Sequence, residues 1–127
     1  MKIIISNSSG VPLYEQIKEQ AKAAILSGQL AEGEALPSIR QLARDLKISV
    51  ITTTRAYSDL AQEGFVANVQ GKGCYVLPQN PELVRENALR DIEAELSAAI
   101  TAAKIAGIPA AEIKTILDIL ITEEDYG

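Results

Sequence analysis

The 127-residue sequence contains no histidine, and so lacks the commonest general base near neutral pH and the commonest metal ligand. It also shows no cluster of carboxylates and no nucleophile set beside a base, which together weigh against an enzyme. A single cysteine, Cys74, excludes an internal disulfide and suits a reducing compartment. No run approaches the roughly 18–20 uncharged apolar residues that span a bilayer, and the opening MKIIIS is too short and too soon interrupted for a signal peptide. A cytoplasmic chain that avoids membranes and requires no cofactor or metal is the expectation.

What is present is an ordinary globular composition, 47% hydrophobic, at a length that suits one core and a small appendage. The formal charge of −5 argues against nucleic acid only until it is divided along the chain. Residues 1–78 hold eight Lys/Arg and seven Asp/Glu, a net of +1, whereas residues 79–127 hold four and ten, a net of −6. A basic amino-terminal surface with an acidic tail fits a DNA-binding domain and a part that faces away from DNA. Ordinary solvated helix surfaces account for the tail equally well.

Residues 36–73 hold the most specific pattern. Ser38 followed by Gln41 reads as a capping box, each satisfying the other's backbone N–H. Ile39, Leu42, Ala43 and Leu46 then share one helix face, and Arg40, Arg44 and Lys47 another. After the short join Lys47-Ile48-Ser49, Ser49 caps a second helix that runs to about Glu63 and stops at Gly64, with Phe65 packing back on Leu60. Thr53, Ala56, Tyr57 and Leu60 face inward, and Ile51, Arg55, Ser58 and Gln62 outward. Two short helices joined this tightly read as a helix-turn-helix. Residues 65–69 and 74–77 are β-prone runs around Gln70-Gly71-Lys72-Gly73, a hairpin whose glycines permit positive φ at the tip and which reads as a wing.

Around this stretch the chain is simpler. Residues 1–11 form a loose arm or short strand, and Leu13, Ile17, Ala21, Ala24 and Ile25 give a helix from Pro12 to about Ser27, ended by Gly28. Glu32-Gly33-Glu34 is a turn, and Ala35-Leu36 pairs briefly with the hairpin. Pro78 and Pro81 bracket a linker, so the boundary falls between residues 78 and 79. The tail carries Leu89, Ile92, Leu96, Ala99 or Ile100, and Ala103 on a long helix over 82–106. Gly107 ends it, and Ile113, Ile116, Leu117, Leu120 and Ile121 follow on a second helix from Pro109 to about Thr122. A hairpin this small cannot bury two apolar stripes alone, so it pairs either with a second copy of the chain or with its own amino-terminal domain. The expected fold is mainly α: a winged helix-turn-helix over residues 1–78 and a two-helix dimerisation hairpin over 79–127.

The segments PLYEQIKEQ from Pro12, LPSIRQLARDL from Leu36, SVITTTRAYSDLAQEGFV from Ser49 and GKGCYV from Gly71 resemble the GntR family of bacterial transcription regulators. The SVITT segment and the short tail resemble its YtrA subfamily in particular. The resemblance implies a homodimeric repressor of double-stranded DNA, bound to an inverted repeat, often of a transporter operon. By position it implies DNA contacts from Arg40, from Ser49 and Thr52 at the start of the recognition helix, and from the wing tip Gly71, Lys72 and Gly73. Val50 stands where many members place a base-contacting arginine, and Thr54 where arginine or lysine is usual, so base readout departs from the family pattern.

Each residue keeps a plainer reading beside this one. Arg40, Arg44 and Lys47 form either a phosphate-directed stripe or a solvated face; the motif favours the former for Arg40, where a guanidinium grips phosphate bidentately. Val50 and Ile51 either touch thymine methyl groups, or Val50 packs on the preceding helix. Lys72 does not form a phosphate-binding P-loop, whose spacing and order are missing. Cys74 is a small buried or edge residue, or else a redox switch. The candidate DNA-contact set is therefore Ser38, Arg40, Arg44, Ser49, Val50, Ile51, Thr52, Thr54, Arg55 and Gly71–Gly73. The pairing set is Leu89, Ile92, Leu96, Ile100, Ile113, Ile116, Leu117 and Leu120. The alternative function is a winged helix that binds protein rather than DNA. Any small-molecule effector would sit at a dimer or domain interface, because the tail leaves little room for a cavity of about 300 Å³.

Overall fold

A computed structural model describes residues 1–124. Its elements in order are α1 (Leu13–Leu26), α2 (Ile39–Leu46), α3 (Val50–Gln62), β1 (Val66–Val69), β2 (Gly73–Val76), α4 (Pro81–Ala106) and α5 (Ala110–Glu123). They fall into two compact units, with Met1–Gln79 as the first and the chain from Asn80 onward as the second. Gln79 belongs with the first because its amide donates to the carbonyls of Gly64 and Leu77.

The first unit is a three-helix core closed by a hairpin. The apolar faces of α1, α2 and α3 converge on Ile17, Ala21, Leu42, Ala56, Tyr57 and Leu60, and Val66, Cys74 and Val76 of the hairpin close the open side. β1 and β2 pair antiparallel from Val66 opposite Val76 to Val69 opposite Gly73. Ala35 adds a bridge opposite Tyr75, and Leu36 N–H donates to the Cys74 carbonyl at 2.8 Å, so the segment entering α2 is pinned to the wing. The stop of α3 is a full Schellman motif: Phe65 N–H reaches Leu60 O at 2.9 Å and Gly64 N–H reaches Ala61 O at 3.1 Å, with Gly64 at φ 85°.

Two local expectations change. The capping box at α2 is only half made: Ser38 Oγ accepts from Gln41 N–H at 3.1 Å, but no return bond from the Gln41 side chain forms among the described residues. Ser38 and Gln41 are both exposed, so the Ser38 amide is open to solvent and gains little from a return bond. The amino-terminal arm is neither strand nor loose. Ile3 is buried, and two glutamines of α1 replace a strand partner: Gln20 exchanges two bonds with the Ile4 backbone and Gln16 two with that of Ser6. 

The second unit is the α4–α5 hairpin. Asn80 caps α4 through its side chain to Glu82 and Leu83 N–H, and Gly107 at φ 71° ends it. Among its described residues only Ala103 is buried and Val84 and Ile113 are half-buried. Leu89, Ile92, Leu96, Ile100, Ile116, Leu117 and Leu120 all stay about 40–50% exposed, as two helices of 26 and 14 residues packed only on each other must leave them.

Candidate nucleic-acid interface

The turn between α2 and α3 positions the outer face of the unit. Lys47 ends α2 in the left-handed region at φ 56°, ψ 46°, and reverses the chain within three residues. Ile48 packs against the core, so Val50 does not need to; Val50 is 47% and Ile51 81% exposed at the start of α3. The reading in which Val50 packs on the preceding helix is thereby disfavoured. Arg40, Arg44 and Lys47 are exposed on the other helix.

The hydroxyl groups of this region are partly committed. Ser49 Oγ accepts from Thr52 N–H at 3.0 Å and lies 3.0 Å from Thr52 Oγ1, so one proton of that pair is shared and the other is free to donate. Thr54 donates its proton to the Val50 carbonyl at 2.8 Å, which leaves it able only to accept. Ser38 accepts from Gln41 but keeps its own proton free.

The wing faces α2 across an open groove of about 590 Å³, and Ser38, Arg40, Gly71, Lys72 and Gly73 all line it. Three contacts fix the groove's walls. The buried Tyr57 donates its hydroxyl to the Pro37 carbonyl at 2.7 Å, which sets the residue before the Ser38 cap. Asn68 Nδ2 donates to the Tyr57 carbonyl at 3.4 Å. Tyr75 donates to the Lys72 carbonyl at 2.7 Å, steadying the tip whose glycines adopt φ 75° and 114°. Burial is the main reason the Tyr57 hydroxyl keeps its proton far above the usual tyrosine range, with Cys74 adding a little. Burial likewise pushes the Cys74 thiol up to about 11, so it is protonated and shielded at neutral pH, unlike a reactive thiolate.

The groove thus gathers five of the predicted residues, while seven lie outside it: Arg44 on α2, Ser49 at the cap of α3, and Val50, Ile51, Thr52, Thr54 and Arg55 on α3. Arg55 is exposed yet ordered, its guanidinium carbon 3.7 Å from the centre of the Tyr14 ring. Sequence reasoning missed Tyr14, Asn68 and Tyr75, and gave Tyr57 only a packing role. The partners of Tyr14, Tyr57 and Asn68 lie 11 to 41 residues away, so no local pattern marks them, whereas Tyr75 reaches back only three residues to Lys72, a contact that the tight turn between them makes possible. No cluster of three potential metal ligands exists among the described residues, and no described helix is long and apolar enough to cross a membrane.

Comparison with known proteins agrees with this geometry. The family model described as bacterial regulatory proteins, gntR family, matches residues 13–76, the helices and wing just described. The HTH-type transcriptional repressor YtrA of Bacillus subtilis (strain 168) is 33% identical over 106 residues, which cover 84% of this chain and 82% of that protein. A solved structure of a transcriptional antiterminator from Listeria monocytogenes EGD-e superposes with a TM-score of 0.71 at 28% identity, covering 94% of this chain and 90% of its own. The DNA-binding domain of AraR in complex with operator ORX1 matches with a TM-score of 0.54 at 25% identity, over 60% of this chain and 95% of that one. With the winged helix matched throughout and the likeness to YtrA extending into the tail, this chain belongs to the GntR family and is a YtrA-like transcription regulator rather than an enzyme.

Proposed function

We propose that the chain is a cytoplasmic, sequence-specific repressor that binds, as a homodimer, an inverted-repeat operator, with a transporter operon as its target. The observation that carries the reading is the groove between α2 and the wing, where Arg40 and Lys72, cations from separate elements, line the same space beside the free hydroxyl proton of Ser38. A guanidinium and an ammonium converging there suit a backbone phosphate. The start of α3 then enters the major groove. Val50 and Ile51 meet thymine methyl groups, one Ser49 or Thr52 hydroxyl donates, and Thr54 accepts from a base amino group.

Residues 1–78 serve as the DNA-binding part and residues 79–127 as the pairing part. The support for pairing is the row of half-exposed leucines and isoleucines on α4 and α5, too extensive for an isolated hairpin to leave in water. Two-fold pairing matches the symmetry of an inverted repeat. The test is selection of bound duplex from a random pool. The reading expects a two-fold symmetric consensus with thymine at the contacted step of each half-site. A pool without any consensus would shift the assignment to a winged helix that docks on protein.

A further inference from the structure

Along the seam between α1 and α3, charged and aromatic side chains face each other in successive turns: Tyr14, Lys18 and Lys22 on α1, and Arg55 and Asp59 on α3 with Glu63 at its C-cap. At one end both lysines are committed. Lys18 and Lys22 each place Nζ 3.2 Å from a Glu63 carboxylate oxygen. At the other end, nearer the start of α3, the arrangement inverts: the cation sits on α3 and its partner is a neutral ring. Arg55 stacks at 3.7 Å on Tyr14 and has no carboxylate partner among the described residues.

That difference decides what the cation can do. A carboxylate would neutralise the guanidinium and occupy its N–H groups, whereas a ring face orients the plane and leaves the charge and all five donors available. Tyr14 is itself held, half-buried against the core in the first turn of α1. Arg55 lies one turn beyond the exposed Ile51 on the outward face of α3. We infer that Tyr14 is a positioning residue that holds the Arg55 guanidinium ready for a bidentate contact with a DNA backbone phosphate. The stack draws Arg55 toward α1, at the flank of α3 rather than its leading edge, so the acceptor is a phosphate and not a base. This inference rests on the DNA-binding reading above.

The test uses the full chain, a random-sequence duplex and a duplex recovered by selection, each titrated over a salt series. Arg55→Gln weakens both duplexes about tenfold and lowers the salt slope by about one. Tyr14→Leu does the same, the double variant is no weaker than either single one, and Tyr14→Phe, which keeps the ring, stays within about twofold of wild type. A folded Tyr14→Leu variant with the wild-type slope would overturn the inference, as would single losses that multiply in the double variant. If Tyr14→Leu does not fold, Arg55→Gln decides: an unchanged slope overturns the inference, and a lowered one with Tyr14→Phe intact supports it. A steep wild-type slope untouched by Arg55→Gln defeats only this inference, whereas a wild-type chain with no salt-dependent binding defeats the DNA reading with it.

Discussion

Replacing Lys47 with glycine is expected to stabilise the amino-terminal unit. Lys47 is the one non-glycine residue with positive φ among the described residues, and the other seven such positions are all glycine. A side chain in the left-handed region costs roughly 1–2 kcal/mol, because Cβ crowds the following carbonyl oxygen. Glycine removes that cost but loosens the unfolded chain by about 0.4–1 kcal/mol. The turn's own bonds, Lys47 N–H to Arg44 O at 3.2 Å and Ile48 N–H to Ala43 O at 3.0 Å, are backbone and survive the change. The balance favours glycine by about 0.5–1 kcal/mol, or a rise in Tm of about 2–8 °C for a unit of this size. Circular dichroism at one fixed protein concentration reads the shift, since the proposed pairing would make Tm depend on concentration. The mirror experiment is Gly64→Ala: at φ 85°, with nothing within 4 Å of the added Cβ, it should cost about 1 kcal/mol through backbone conformation alone. A Lys47→Gly variant that melts at or below the wild-type temperature would refute the reasoning, and would mean that the lysine side chain makes a contact worth more than the strain.

Four further outcomes follow from the same structure. Lys72→Ala should weaken all DNA sequences alike and lower the salt slope by about one; an altered sequence preference would mean that the wing reads bases. Ile51→Ala should relax preference at one base pair by roughly 1 kcal/mol, and an unchanged consensus after selection would remove the thymine-methyl contact. Leu96→Asp, which places a charge among the half-exposed residues of α4, should weaken self-association by on the order of 3 kcal/mol; an unchanged sedimentation mass would take the tail out of the pairing role. Cys74 should resist alkylation at pH 8 until the chain is unfolded. Its folded pKa, raised by burial from 9.0 to about 11, gives stability that is complete below pH 9 and lost as pH rises toward 11. A Cys74→Ala variant with the same alkaline loss of stability would contradict that assignment.

The parts of the fold written in local chemistry were legible. Ser38 and Ser49 announce helix starts, Gly64 and Gly107 announce stops, and the three- and four-residue spacing of apolar side chains assigns Thr53, Ala56, Tyr57 and Leu60 inward. What was not legible depends on residues far apart in sequence. Nothing near Tyr57 says that its hydroxyl will hold Pro37, and nothing near Tyr14 says that Arg55 will lie over its ring. Gln16 and Gln20 look like ordinary polar positions on a helix until the arm lies beside them. Lys47 escaped for the opposite reason: sequence reasoning expects glycine where φ is positive, and a lysine there gives no sign of the turn it makes. The groove is an intermediate case: the pairing expected of Ala35-Leu36 with the hairpin is there as the bridge of Ala35 to Tyr75, which brings the wing beside α2, but nothing local in the sequence marks the space it encloses.

The most direct test of the account is the affinity of the full chain for a selected duplex and for a scrambled duplex of the same composition, measured across a salt series. Steep salt dependence on both, with the selected duplex bound at least about a thousandfold more tightly at physiological salt, is the predicted result. Equal affinity for the two duplexes, or binding indifferent to salt, would contradict it.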